Sequence, residues 1–171
     1  MGLEEHKQLA PAALRFAVIT ISDTRDAASD RGGAFLVETL SAAGHAVTFR
    51  EIVVDEREPI AAAVRAAVAR GDVDLVLTTG GTGLAPRDVT YDTLKALFDS
   101  EIPGFGELFR WLSFREIGAA TILSRAIGGL LAGKVVLALP GSPKALKLAL
   151  AEIVLPEAGH LVQQSRGVRA R

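Results

Sequence analysis

Four segments rich in apolar and β-branched residues recur along the chain, separated by amphipathic stretches. They occupy residues 16–22, 46–54, 73–79 and 134–139. The first and the last are almost continuously apolar, which is typical of strands covered on both faces of a sheet. We therefore predict a strand at each of these four positions.

Helical spacing of apolar positions lies between the predicted strands. It predicts helices over residues 33–43, from Pro59 to Gly71, from Thr90 onward, over residues 105–114 and from Lys144 to Ile153 or beyond. Thr90 is expected to cap the third of these helices. Residues 121–131 are ambiguous between a helix and a strand. The expected buried positions of the second, third and fourth helices are Ile60, Val64, Val68, Leu94, Leu97, Phe98, Phe105, Leu108, Phe109 and Leu112.

The alternation of strands and helices predicts the fold class. Such an order favours βαβ units, hence a single three-layer α/β domain with a mostly parallel sheet. We place this domain at residues 15–163, after an N-terminal extension over residues 1–14 and before a basic, solvated tail over residues 164–171. Right-handed crossovers then put the carboxyl ends of the strands along one edge, where α/β folds bind ligands.

Composition narrows the possible functions. The chain has 171 residues and a formal net charge of −1, whereas a nucleic-acid-binding surface needs a basic face. No apolar stretch is long enough to predict a membrane span. Cysteine is absent, which excludes thiolate metal sites, a cysteine nucleophile and disulfides, and so favours a cytoplasmic location. We expect no nucleic-acid or membrane partner.

Polar and glycine residues follow all four predicted strands. Ser22 and Asp23 follow the first, Asp55 follows the second, residues 80–83 follow the third, and Gly141 with Ser142 follow the fourth. Each group is also compatible with an ordinary turn. Because all four fall at one predicted edge of the sheet, we favour a ligand cleft there.

The loop after the third strand, Gly80-Gly81-Thr82-Gly83, is the most informative of these groups. Three glycines in four residues let backbone N–H groups turn toward an anion such as a phosphate. The alternative is a glycine-rich bend without a ligand. A dinucleotide fingerprint is excluded because Pro86 replaces its third glycine, and a Walker A loop is excluded because Val135 follows Lys134.

Two acidic residues near these loops are candidate metal ligands. Asp55 closes the second strand and Asp88 lies just past the glycine loop. Mg²⁺ prefers oxygen ligands and commonly takes one or two carboxylates together with substrate phosphates. Taken singly, Asp55 is also compatible with a turn or a helix cap, and Asp88 with a cap near Thr90.

Five short motifs follow one another along the chain. They are Thr78-Thr-Gly-Gly-Thr-Gly83, Arg87-Asp-Val-Thr90, Ile102-Pro-Gly-Phe-Gly106, Ile122-Leu-Ser-Arg125 and Leu139-Pro-Gly-Ser-Pro143. In this order, over residues 14–160, they resemble the MoaB/Mog family of molybdenum cofactor biosynthesis proteins, and residues 104–114 are most similar to the MoaB branch. The resemblance implies a molybdopterin adenylyltransferase, which uses ATP and Mg²⁺ and releases pyrophosphate.

The same resemblance implies roles for individual residues. Asp55 and Asp88 match the two functional acids and would hold or orient Mg²⁺, while Gly80, Gly81, Thr82 and Gly83 would cradle the nucleotide phosphates. A homo-oligomer, either a trimer or a hexamer, is also implied. The residues implied to contact the pterin or to line its cleft are Ser22, Asp23, Ser124, Arg125, Gly141 and Ser142.

Two other functions remain open at this point. One is a non-catalytic protein that binds molybdopterin for storage or hand-over. The other is molybdate insertion or pyrophosphate-bond hydrolysis, as in larger relatives that carry additional domains.

Overall fold

A computed structural model describes residues 11–167 and contains one six-stranded sheet. The order across the sheet is β2-β1-β3-β6-β5-β4. The first four strands in this order are parallel, and β5 and β4 run antiparallel to their neighbours. The prediction of a mostly parallel sheet is therefore confirmed. The strands are β1 (Arg15–Ile21), β2 (Ala46–Val53), β3 (Leu75–Thr79), β4 (Ser100–Glu101), β5 (Ile127–Leu131) and β6 (Lys134–Leu139).

Helices cover both faces of this sheet. A π-helical turn, Leu150–Val154, joins the last two α-helices, and a 3-10 helix, Gly118–Leu123, follows the fourth. The predicted helices are all present, although their ends differ by a few residues. The α-helices are α1 (Arg31–Ala42), α2 (Arg57–Ala69), α3 (Thr90–Leu97), α4 (Pro103–Ile117), α5 (Pro143–Ala149) and α6 (Leu155–Ser165).

The alternation of side chains along β1 separates the two halves of the core. Phe16 and Val18 pack with α1, α4, α5 and α6, whereas Ala17 and Ile19 pack with α2 and α3. Because successive strand residues point to opposite faces, one buried strand serves both layers of helices. The three-layer α/β architecture is confirmed.

The position of β1 and β3 in the sheet creates a crevice at its carboxyl edge. These two strands are neighbours, yet the helices that follow them, α1 and α3, pack on opposite faces. The loops after β1 and β3 therefore diverge, which is the arrangement that opens a ligand site in α/β folds.

Two local predictions are corrected by the structure. Leu108 is 41% exposed because the buried face of α4 runs through Phe105, Phe109 and Ser113, one turn apart. Val89, not Thr90, is the N-cap of α3, so Thr90 is its first helical residue.

The undecided segment, residues 121–131, contains the end of the 3-10 helix and then β5, which forms an antiparallel hairpin with β6. Gly128 to Lys134 thus lies in a hairpin, as the rejection of a Walker A loop requires.

The two ends of the described chain are tied to the fold. Leu14, within the predicted extension, is buried, and its N–H donates to Nδ1 of His45. Arg166, within the predicted solvated tail, pairs with the buried carboxylate of Asp74. Residues 1–10, and Arg169 with Arg171, lie outside the described residues. Among residues 11–167, no helix combines the length and hydrophobicity needed to cross a membrane.

Candidate active site

A cavity of about 540 Å³ lies at the carboxyl ends of β1 and β3, against the loop after β6 and the start of α1. It brings together Ser22, Gly80 and Gly141, three of the residues that the sequence predicted for the cleft. Arg25 and Arg31 also line it. Sequence reasoning missed these two arginines; the available signal was their position between the end of β1 and the first residue of α1. The cavity thus carries two arginines and the carboxylate of Asp30, which is paired with Arg50.

The glycine loop has a backbone that requires glycine. Gly80 has φ +106° and Gly81 has φ +62°, in the region that side chains disfavour. A Cβ atom at Gly80 would lie 2.2 Å from the carbonyl oxygen of Ile21. The loop therefore passes very close to the end of β1, which places it on the floor of the crevice.

Asp55 is buried beside this loop, with 7% of its surface exposed. Its Oδ1 accepts a hydrogen bond of 3.3 Å from the backbone N–H of Val89. A Cβ at Gly81 would lie 2.6 Å from Asp55 Oδ2, so the glycine makes room for this carboxylate. Burial, reinforced by the nearby charges of Asp88 and Asp23, raises the pKa of Asp55 above its ordinary value. The ionised form of the Asp55 carboxylate is therefore disfavoured in this environment, and a bound cation would stabilise it.

Asp23, in the loop after β1, is hydrogen-bonded to the loop after β2 and to the loop after β3. Its carboxylate accepts two hydrogen bonds from the guanidinium of Arg87, at 2.7 and 2.8 Å, and one of 3.0 Å from the backbone N–H of Asp55. The hydrogen bonds from Arg87 hold the pKa of Asp23 below its ordinary value. Asp23 is thus ionised and fixed at the mouth of the crevice.

Asp88 closes the turn that follows the glycine loop. Its Oδ2 accepts a 3.1 Å hydrogen bond from the backbone N–H of Ala85, and a Cβ at Gly83 would lie 2.6 Å from the same oxygen. The cap near Thr90 that the sequence offered as an alternative for Asp88 is not formed, because Val89 is the N-cap and receives no side-chain bond; Asp88 closes this turn instead. The second carboxylate oxygen, Oδ1, is available for a ligand, since no hydrogen bond to it is found in the described part of the chain.

A buried hydroxyl adds a further oxygen atom to the cluster. Thr90 is fully buried, and within residues 11–167 its Oγ1 has no hydrogen-bond partner. A Cβ at Gly81 would lie 2.2 Å from it. Together with Asp55 and Asp88, Thr90 offers only oxygen atoms, and the raised pKa of Asp55 indicates charge that a cation would relieve. This chemistry fits Mg²⁺, which completes its shell with water and phosphate oxygens. Across residues 11–167, no cluster of three or more metal-binding side chains occurs.

The predicted pterin contacts fall in two places. Ser142 accepts a 3.3 Å hydrogen bond from the N–H of Ala145, and so caps α5 next to Gly141. Ser124 and Arg125 do not line the main cavity, but a second one of about 420 Å³ between α3, α4 and the start of β5. The hydroxyl oxygen of Ser124 is buried there and has no partner among the described residues.

Comparisons with known proteins agree with this fold. The family profile described as "Probable molybdopterin binding domain" matches residues 17–160. A Bacillus cereus protein named molybdenum cofactor biosynthesis protein B is 51% identical over 94% of this chain and 96% of its own. A Pyrococcus furiosus protein named molybdopterin adenylyltransferase is 42% identical over 97% of this chain and 99% of its own.

A solved structure extends the similarity to three dimensions. A crystal structure of molybdenum cofactor biosynthesis protein B superposes with a TM-score of 0.89 and 49% identity, over 93% of this chain and 99% of that one. Sequence and structure thus agree along almost the whole chain, and the chain belongs to the MoaB/Mog family of molybdenum cofactor biosynthesis proteins.

Proposed function

We propose that this protein is a molybdopterin adenylyltransferase. The observation that carries the proposal is the glycine loop, packed against the buried carboxylate of Asp55 at the crevice between β1 and β3. A terminal phosphate oxygen of molybdopterin attacks the α-phosphorus of ATP. A new phosphorus–oxygen bond forms, the α–β bridge breaks, and pyrophosphate leaves. Reactions of this kind depend on positioning and charge neutralisation more than on a protein nucleophile.

The phosphates of ATP bind at the glycine loop. Backbone N–H groups of residues 81–83 supply the donors, since that of Gly80 already donates to the carbonyl oxygen of Leu139. The positive φ of Gly80 and Gly81 permits the loop's conformation. Asp55 and Asp88 hold Mg²⁺, with Thr90 beside them. When bound, Mg²⁺ neutralises negative charge on the phosphates. Arg87 acts through Asp23, which it keeps ionised and fixed.

Molybdopterin occupies the crevice next to the nucleotide. Ser22 and Gly141, which line the main cavity, are proposed contacts, together with their chain neighbours Asp23 and Ser142. Ser124 contributes from the second cavity. Arg25 and Arg31 add positive charge suited to the phosphate groups of either substrate.

We also propose that the protein acts as a homo-oligomer, a trimer or a hexamer, in the cytoplasm. Large apolar side chains remain exposed on one side of α4 and on the 3-10 helix that follows it. Contiguous apolar surface of this kind is typical of protein interfaces. The surface, called here the α4 apolar surface, consists of Leu108, Trp111, Phe114, Ile117, Ile122 and Leu123.

Release of pyrophosphate tests the proposed activity. The purified protein is mixed with Mg-ATP and molybdopterin, and both pyrophosphate and adenylylated molybdopterin are quantified. We expect the two products in equal amounts and only when all three components are present. Tight molybdopterin binding without either product would show that the protein is not an adenylyltransferase and would favour a storage or hand-over role. Molybdate-dependent release of AMP from adenylylated molybdopterin would instead identify the insertion reaction.

A further inference from the structure

Arg125, which lines the second cavity, contacts the glycine loop. Its backbone N–H donates to the carbonyl oxygen of Thr82 at 3.0 Å. Its side chain donates from Nε to the carbonyl oxygen of Gly83 at 2.8 Å and from Nη2 to that of Asp88 at 2.6 Å. One residue therefore binds three carbonyl groups along the loop.

The rest of the guanidinium is also engaged. Nη1 donates to Asp92 in the first turn of α3 at 3.0 Å, and the group lies 5.2 Å from the ring centroid of Tyr91. The side chain of Arg125 is 22% exposed. The guanidinium nitrogens of Arg125 thus all donate to protein acceptors, whereas a ligand-binding arginine would direct donors into a cavity.

These contacts decide where the loop's own N–H groups point. In a trans peptide the C=O and the following N–H point in opposite directions. Carbonyls of Thr82 and Gly83 that face Arg125 therefore turn the N–H groups of Gly83 and Leu84 away from it. The same rule applies at Asp88, where the following N–H, that of Val89, donates to Asp55.

We propose that Arg125 is a positioning residue, which sets the phosphate-binding orientation of the glycine loop and, through the Asp88–Val89 peptide, the orientation of the Asp55 carboxylate. The proposal rests on the function proposed above, because it treats this loop as the nucleotide phosphate site. It also gives Arg125 a different role from the pterin contact that the family resemblance implies. Arginine suits this role because its planar fork serves several acceptors at fixed angles, which a lysine cannot do.

Two variants and a matched control test the proposal. Arg125→Lys keeps the charge and loses the fork, and Arg125→Ala removes both. Arg70→Lys is the control, since Arg70 also makes a two-bond ion pair, with Asp72, and lies over an aromatic ring, that of Phe49, at the opposite edge of the sheet. Hydrogen exchange of the amides of residues 82–89 is measured together with the dissociation constants for Mg-ATP and molybdopterin.

We expect Arg125→Lys to raise loop amide exchange and the dissociation constant for Mg-ATP by on the order of 10-fold each. The dissociation constant for molybdopterin should stay unchanged, and Arg70→Lys should alter none of the three. Unchanged loop exchange with weakened molybdopterin binding would overturn the proposal and make Arg125 a pterin contact. Raised loop exchange in a protein whose wild type binds no ATP would leave the positioning role standing and refute the proposed function. If Arg125→Ala does not fold, the lysine variant alone decides.

Discussion

Asp23 and Arg87 are 64 residues apart in sequence and form a two-point ion pair at 2.7 and 2.8 Å across the mouth of the crevice. The pair joins the loop after β1 to the loop after β3. Both side chains are substantially exposed, so the pair contributes little to folding stability. Its effect is on the relative position of two loops that both line the proposed site.

Asp23→Asn should therefore impair the reaction much more than the fold. We expect kcat/KM for pyrophosphate release to fall by roughly 10- to 100-fold, because the loops lose their fixed spacing. The melting temperature should change little. Arg70→Gln, which breaks the exposed pair with Asp72 at the opposite edge of the sheet, is the matched control and should leave turnover intact. Equal turnover in both variants would show that the ion pair has no part in the reaction.

Asp55→Asn should separate stability from activity. The pKa of Asp55 is raised in the folded protein, mainly by burial, so the folded state binds its proton more tightly than the unfolded state. The charged carboxylate therefore opposes folding once the pH exceeds the folded pKa. At pH 7 the variant should be at least as stable as the wild type to chemical denaturation.

Pyrophosphate release by the same variant should fall by roughly 100-fold or more, since a neutral amide cannot hold Mg²⁺ as a carboxylate does. If the variant is stabilised and still releases pyrophosphate at the wild-type rate, Asp55 takes no part in the reaction.

Gly81→Ala tests the close packing of the loop. Gly44 is the control, because it also has positive φ, +85°, but nothing within 4 Å of an added Cβ. Gly44→Ala should cost about 1 kcal/mol of unfolding free energy. At Gly81 the methyl group would also collide with Thr90 and Asp55, so the cost should reach roughly 2–4 kcal/mol, with loss of Mg-ATP binding. Similar costs at the two positions would mean that the loop relaxes easily.

Much of this arrangement was predictable because it depends on local patterns. The apolar runs predicted β1 and β6, and the glycine loop was recognisable from its letters alone. The role of Arg125 was not, since it depends on where residues 121–125 pack against a loop some 40 positions away. The strand β5 was obscured by Gly128 and Gly129, which disfavour strands by themselves. Position 129 needs a glycine because the ring of Phe98 packs against it, and a Cβ there would lie 2.2 Å from that ring.

Acid unfolding should depend on Asp74. Burial alone would raise its pKa, but hydrogen bonds from Arg15, together with Arg166, bring the pKa to about 2. A carboxyl group whose pKa is lowered by folding stabilises the protein above the unfolded pKa of 3.8, and this stabilisation is lost as the pH falls toward 2. Asp74→Asn should cost about 1–2 kcal/mol at pH 7, and the difference from wild type should shrink below pH 4. A difference independent of pH would point to packing instead.

The α4 apolar surface gives a prediction for assembly. Trp111→Lys and Phe114→Lys place a charge among side chains that are 56% and 59% exposed in the single chain. We expect either variant to reduce the molar mass measured by light scattering to that of a smaller species, with the melting transition of the subunit retained. Val54→Lys, which alters an exposed apolar side chain elsewhere, is the control. An unchanged mass in all three would place the subunit contact on another surface.

The strand order has a consequence for the timing of folding. β6 is the last strand of the sheet in sequence, yet it lies between β3 and β5, and the segment that follows it forms one wall of the main cavity. A growing chain that has not yet released residues 134–141 from the ribosome lacks both the middle of the sheet and that wall. The ligand site therefore forms only after β6 has left the ribosome, and a fragment truncated before β6 has neither a continuous sheet nor a place for the substrate.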